Sequence, residues 1–355
     1  MILFLIIFIL LLSLIAAGFS YIGIHKEIDE RCEYRRQDRI LVIIPCKGID
    51  YGLEDNLRSI ISQDVNADYL AVLDDPSDPA MPAVENIGIP HILSNYACNT
   101  CSGKVRAIST AIASRPDYDI YVIADSDIRV GREWLRNLVC PLSDPEVGIS
   151  TTFPYFYPVG SFSSKIKAVW GTVGQSLMES RLTRFGWGGS LAFRRTLIDS
   201  AMSFFSENVS DDSALTAICK SKGLRIAYVR EARPAIYCPD TWPQFWEWAN
   251  RQTALSISAS PKIFRYGIIF YSLDIILFIS AIILSITNPV FLYLFIPKII
   301  GIYRLYDRTV IRRISFAAIF LLLPFIYLVN LIIAHRMKHI LWRGNKYELQ
   351  KFAER

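Results

Sequence analysis

The chain has 355 residues, is 52% hydrophobic and carries a formal charge of +5. That is too apolar for an ordinary soluble enzyme. The basic residues flank apolar runs and no helix-turn-helix, zinc-finger or ribonucleoprotein signature is present, which points to anionic headgroups and a phosphorylated substrate and away from nucleic acid.

From Ile2 to Ile24 there is no Asp, Glu, Lys or Arg, a length sufficient to cross a bilayer core of ~30 Å. With no basic n-region, and an apolar run exceeding the usual ~7–15 residues of a signal peptide, residues 1–25 read as an uncleaved anchor. Lys26, Arg31, Arg35, Arg36 and Arg39 follow it and favour the cytoplasmic side, so the soluble middle, residues 26–260, is expected to be cytosolic.

Arg39–Ile44 is a continuous apolar run closed by Pro45, as expected of a central strand covered on both faces. After the loop Pro45-Cys46-Lys47-Gly48, Leu53, Leu57, Ile60 and Ile61 recur at helical spacing. The strand Tyr69–Leu73 ends in Asp74-Asp75, at the edge where open α/β sheets bind ligands; each Asp there is also a normal turn former. The seven cysteines are an odd number for a cytosolic domain and argue against a disulfide framework. Cys98-x-x-Cys101 lacks further ligands at zinc spacing and reads as a loop feature. Gly103-Lys104 opens a helix to about Ser114. A lysine at that end is electrostatically odd unless a diphosphate is nearby or the side chain is solvated.

The run 119–127 is a buried strand emptying into a polar cleft. Along extended backbone Asp125 and Asp127 project to one side, separated by Ser126, and two hard oxygen ligands suit Mg²⁺ or Mn²⁺ with open positions for phosphate. Residues 161–185 mix basic and apolar residues and fit either a membrane-interface helix or an amphipathic surface helix. Trp187-Gly188-Gly189-Ser190 marks a turn where backbone can approach a ligand. Ser210-Asp211-Asp212 starts a helix in which one Asp serves as amino cap and the other is free for chemistry. Pro243 opens the helix through Arg251.

In residues 261–335, Tyr266–Thr287 and Ser315–Ala334 are long enough to span. Pro289–Tyr303 is short and reads as a tight return or re-entrant piece, followed by a basic loop, Arg304–Arg313. Three spans place the tail, residues 336–355, across the membrane from the catalytic middle, and two place it alongside. Arg336, Lys338, Arg343, Lys346 and Lys351 favour two. Asp274, inside a span, is left out of the site.

Taken together, Pro45-Cys46-Lys47-Gly48-Ile49-Asp50 with Asn56-Leu57, Asp74-Asp75, Asp125-Ser126-Asp127-Ile128-Arg129-Val130, Asp211-Asp212, Gln244-Phe245 through Arg251 and Trp342-Arg343-Gly344-x-x-Tyr347-x-Leu349 resemble a membrane-bound family-2-type glycosyltransferase with a GT-A domain. The similarity is greatest to the ceramide glucosyltransferase group, family 21. The resemblance implies a mostly parallel Rossmann-like sheet with helices on both faces plus transmembrane helices at both ends. It also implies metal at Asp125 and Asp127, uridine at Asp75 or Asp74, and Asp212 as base. Pro45, Lys47, Gly48, Lys104 and Arg251 complete the expected nucleotide-sugar site. Of the family's (Gln/Arg)-x-x-Arg-Trp motif only Arg251 matches, which argues against a processive synthase. The expected activity is inverting transfer of a hexose, perhaps glucose, from a UDP-sugar to a membrane-lipid hydroxyl. Polyprenyl-phosphate transfer and an inactive scaffold are the alternatives.

Overall fold

The computed structural model describes residues 2–25 and 38–349. The basic cluster Lys26, Arg31, Arg35 and Arg36, and Lys351 of the tail, lie outside the described residues. A seven-stranded sheet forms the centre, built from β1 (Ile40–Cys46), β2 (Asp68–Leu73), β3 (His91–Leu93), β4 (Ile120–Ala124), β6 (Val147–Thr151), β8 (Ser190–Arg194) and β9 (Arg225–Tyr228) in the order β3-β2-β1-β4-β8-β6-β9. β1 pairs parallel with β2 and β4, and only β8 runs antiparallel to its neighbours. A smaller sheet packs β5 (Ile128–Arg129), β10 (Ala235–Cys238) and β7 (Tyr155–Pro158) beside it.

The unbroken apolar runs follow from burial on two faces. In β1, Ile40, Val42 and Ile44 join a core with the helix Leu53–Ile61, while Leu41 and Ile43 join a second core with the helices Gly103–Ser114 and Asp211–Ser221. β4 divides its residues in the same way, Val122 to one core and Tyr121 and Ile123 to the other. The carboxyl ends of β1, β2 and β4 therefore form one edge, and the polar loops that follow them meet there.

Among the described residues four helices are long and apolar enough to cross a membrane: Leu3–Ile24, Lys262–Thr287, Pro289–Arg308 and Ile314–Arg336. The middle piece corrects the expectation of a basic loop beginning at Arg304. A 3₁₀ turn (Pro289–Phe295) runs into the helix Ile296–Arg308, which continues past Arg304 because that side chain and Arg308 are neutralised by the buried Glu179, at 2.5 and 2.7 Å. Lys298 and Asp274, the charges inside the apolar helices, pair with one another at 2.7 Å.

The helix Ile314–Arg336 lies along the catalytic domain. Tyr327 Oη donates to Trp170 O at 2.7 Å, Trp170 Nε1 donates to Asn330 Oδ1 at 3.2 Å, and Asn330 Nδ2 donates to Asn250 Oδ1 at 2.9 Å. These bonds give polar groups of an apolar helix partners in the helices Phe162–Met178 and Trp242–Ala259. The tail then folds as a hairpin, β11 (His339–Trp342) and β12 (Asn345–Glu348), beside the catalytic domain. Cys98 and Cys101 bring their sulfur atoms together in the loop before Ser102.

Candidate active site

β4 stops at Ala124, and Asp125-Ser126-Asp127 is a turn closed by Ile128 N–H donating to Asp125 O at 3.3 Å. Both aspartates face one cavity, as anticipated, but the cause is this turn and not the alternation of extended backbone. Two buried contacts hold the turn. Asn56 Nδ2 donates to Ser126 O at 3.2 Å, and Ser126 Oγ donates to Asp50 Oδ2 at 2.7 Å.

Lys104 resolves its own electrostatic oddity inside the protein. Its Nζ lies 2.7 Å from Asp125 Oδ1 and 3.2 Å from Asp211 Oδ2, and donates to Gly188 O at 3.1 Å. The anion at this helix end is thus a pair of carboxylates, where the sequence suggested a diphosphate or solvent. Burial alone would discharge the lysine, yet Asp125 and Asp211 outweigh it and keep the ammonium firmly protonated. Desolvation pushes Asp211 up to about 6 despite Lys104. A Cβ on Gly188 would sit 2.2 Å from Asp211 Oδ2 and 3.0 Å from Lys104 Nζ. Gly188→Ala is therefore expected to pry this cluster apart at a cost of roughly 1–3 kcal/mol, read as a lower unfolding temperature in detergent. An unchanged temperature would mean the backbone yields there.

Asp127 is the unsatisfied member. Its Oδ1 is buried and has no hydrogen-bond partner, and burial, reinforced by Asp125 and Asp50, pushes its carboxyl up to about 7. An orphaned, hard oxygen beside a second carboxylate fits a divalent cation. Among the described residues no three His, Cys, Asp or Glu side chains are grouped so that together they could hold a metal ion. The donor set therefore suits an ion that completes its shell with phosphate oxygens and water, as Mg²⁺ or Mn²⁺ does.

Asp212 reaches the same cavity from the start of the helix Asp211–Ser221. The amino cap is Ser210, whose Oγ accepts from Ser213 N–H at 3.3 Å, so neither aspartate acts as the N-cap residue the sequence suggested. Asp212 Oδ1 accepts from Ser213 N–H at 2.7 Å and from Ser210 Oγ, which fixes the carboxylate through one oxygen. At the early pair the structure separates two roles. Asp74 lines the cavity and binds Lys47 Nζ at 2.6 Å, whereas Asp75 lies exposed in the turn and accepts from Ser77 N–H and Oγ, contacts that hold its carboxyl below the usual range. Pro45 and Lys47 line the cavity. Gly48 does not: at φ 69° it shapes the loop and donates its N–H to Asp78 Oδ1 at 2.8 Å. Cys46 also faces the cavity, and burial and then Asp50, Asp78 and Asp125 push its thiol up to about 12, which disfavours the thiolate. Arg251 lines the cavity with its Nε buried and unpartnered, its guanidinium 5.4 Å from the centre of the Trp342 ring. Asp50, Arg343 and Tyr347 also enter the site, and the sequence reading assigned them no role; the run Pro45–Asp50 marked the first and the tail's Trp-Arg-Gly signature the other two.

A profile of the family described as Glycosyl transferase family 21 matches residues 7–353. The chain belongs to glycosyl transferase family 21. A mannosyltransferase from Pyrobaculum calidifontis, solved with GDP-Man and Mn²⁺, superposes with a TM-score of 0.55 at 18% identity, covering 92% of this chain and 96% of that one. The likeness establishes a GT-A-type fold carried through to the apolar helices. Glucosyl-3-phosphoglycerate synthase from Mycobacterium tuberculosis, solved with Mn²⁺ and UDP-Glc, gives 0.43 at 16% identity over 63% of this chain and 79% of that one.

In this family 21 glycosyltransferase the carboxylates share a cavity of about 2380 Å³ with Phe153, Trp170 and Trp248, with Tyr266 and Phe270 of the helix Lys262–Thr287 and with Phe19 and Ile22 of the N-terminal helix. Tyr266 and Ile22 are exposed.

Proposed function

We propose that this glycosyltransferase moves a hexose, with glucose the first candidate, from a UDP-sugar to a hydroxyl of a membrane lipid, with inversion at the anomeric carbon. The observation that supports the acceptor class is one shared cavity: carboxylates, aromatic rings and residues of helices apolar enough for a bilayer all line it. A lipid could present its headgroup there while its chains stay in the membrane.

In this reading Asp74, with Lys47, faces the nucleoside, and Asp125 and Asp127 hold the cation at the diphosphate. Mg²⁺ or Mn²⁺ bound there would neutralise charge on the departing nucleoside diphosphate. Lys104 keeps Asp125 in place, and its charge, with that of Arg251, bears on the same leaving group. Asp212 accepts the proton of the attacking hydroxyl through Oδ2, since Oδ1 is tied to Ser213 and Ser210. One base, and a cavity thiol held protonated, fit a single displacement. We place the catalytic domain, taken as residues 26–260, on the cytoplasmic side because basic residues follow the first span.

Asp212→Asn is expected to lower turnover by about 10²–10⁴-fold while nucleotide binding is kept. The assay is UDP release by the detergent-purified full chain with Mn²⁺, UDP-sugars and a lipid panel. Retention of most activity would instead indicate an acceptor that is already anionic, such as a polyprenyl phosphate. Absence of any metal-dependent UDP binding by the unaltered protein would indicate a scaffold.

A further inference from the structure

We propose that the C-terminal hairpin forms the outer wall of the donor pocket and that Arg343, at its tip, binds the diphosphate of the nucleotide. The inference rests on the donor reading above and adds a residue from outside the sheet edge.

The first observation is local. Trp342 pairs with Asn345, so Arg343-Gly344 is a two-residue hairpin turn, with φ of 50° and 80°. Turns of that form favour Asn-Gly, because a residue with a Cβ and a long side chain is disfavoured in the left-handed region. Arg343 is the only non-glycine residue with positive φ among the described residues. The hairpin would form more easily without it, so turn formation does not account for the arginine.

Where the side chain goes supplies the second observation. Arg343 reaches back into the cavity, 2.5 Å from Asp50 Oδ1, and its charge acts on Asp127 and Asp125. Asp50 is the residue that holds Ser126, between those two aspartates. A guanidinium so placed faces the position that a cation-bound diphosphate would occupy, and its planar fork suits phosphate oxygens. The attachment of the hairpin is the third. Ile340 anchors its base in a buried cluster with Val209, Ala254 and Ala334. Its outer part meets the domain through polar or ring contacts: Arg343 on Asp50, Tyr347 Oη accepting from Gly103 N–H at 3.2 Å, and Trp342 against Arg251. Such a tip can exchange Asp50 for a ligand without unfolding its base.

Arg343→Asn separates this role from a structural one, since Asn suits the turn while lacking the guanidinium. In the full-length protein in detergent, the variant is expected to unfold at the same or a higher temperature. By calorimetry with Mn²⁺ it is expected to bind UDP about tenfold or more weakly, with UMP affinity unchanged. Unchanged UDP affinity, or an equal loss for UDP and UMP, would overturn the assignment while leaving the donor reading intact. If the unaltered protein binds neither UDP nor GDP with Mn²⁺, the donor reading fails first and this one with it.

Discussion

Asp127→Asn is expected to reduce sugar transfer by about 10²–10³-fold, the range for removing one pre-placed stabiliser of a leaving-group charge. The same change should leave the fold unharmed or firmer. Asp127 has a buried oxygen without a partner, and burial, reinforced by the carboxylates of Asp125 and Asp50, drives its carboxyl up to about 7. Neutral asparagine removes that repulsion. A site that is unfavourable when empty and restored by a cation is the pattern expected of stability surrendered to function. Two measurements on the purified chain decide it: UDP release across a Mn²⁺ titration, and unfolding temperature with and without Mn²⁺. The unaltered protein should gain stability from Mn²⁺ and the variant should gain little. Full activity in the variant would remove the metal reading. A large fall in unfolding temperature without cation would show that Asp127 is structural.

The second large effect falls on stability, away from the chemistry. Glu179 ends the helix Phe162–Met178, is 4% exposed, and binds both Arg304 and Arg308 of the helix Ile296–Arg308, while Arg230 and Arg304 reach Asp307 at 3.4 and 3.7 Å. Glu179→Gln leaves two guanidiniums buried without their carboxylate, at a cost of about 3–5 kcal/mol. An unfolding temperature lower by about 5–10 °C is expected. The pH dependence identifies the cause. Burial raises the Glu179 carboxyl, but Arg308 and Arg304 outweigh it and bring it below the usual value of 4.5. The unfolded chain then binds the proton more readily than the folded one. The stabilisation is complete above pH 4.5 and is lost as pH falls through the lower, folded value. The difference in stability between the unaltered protein and the Glu179→Gln variant should therefore stay constant from neutral pH to about 5 and narrow in more acid solution. A pH-independent difference would assign the effect to packing.

Much of the scaffold was legible in the residues. Continuous apolar runs such as Ile40–Ile44 and Ile120–Ala124 could only be strands buried on both faces, and each ended at a polar edge. Gly103–Ser114 was readable to its bounds, and the apolar helices were marked by length alone. These are local properties, fixed by side-chain period and by the absence of charge.

What the sequence could not supply is which charges meet. Lys104 seemed to await a phosphate because Asp211, more than a hundred positions away, was not visible beside it. The first part of the basic loop after Pro289–Tyr303, through Arg308, became helix because Glu179 neutralises Arg304 and Arg308. Asp74 and Asp75 looked equivalent until a turn sent one outward. Sequence by itself determined the family, the sheet, the apolar helices and the kinds of ligand atoms available. Only the tertiary structure decided the pairings, including the return of Arg343 to Asp50, because Coulomb attraction and desolvation depend on distance and burial in space and leave no period in the chain.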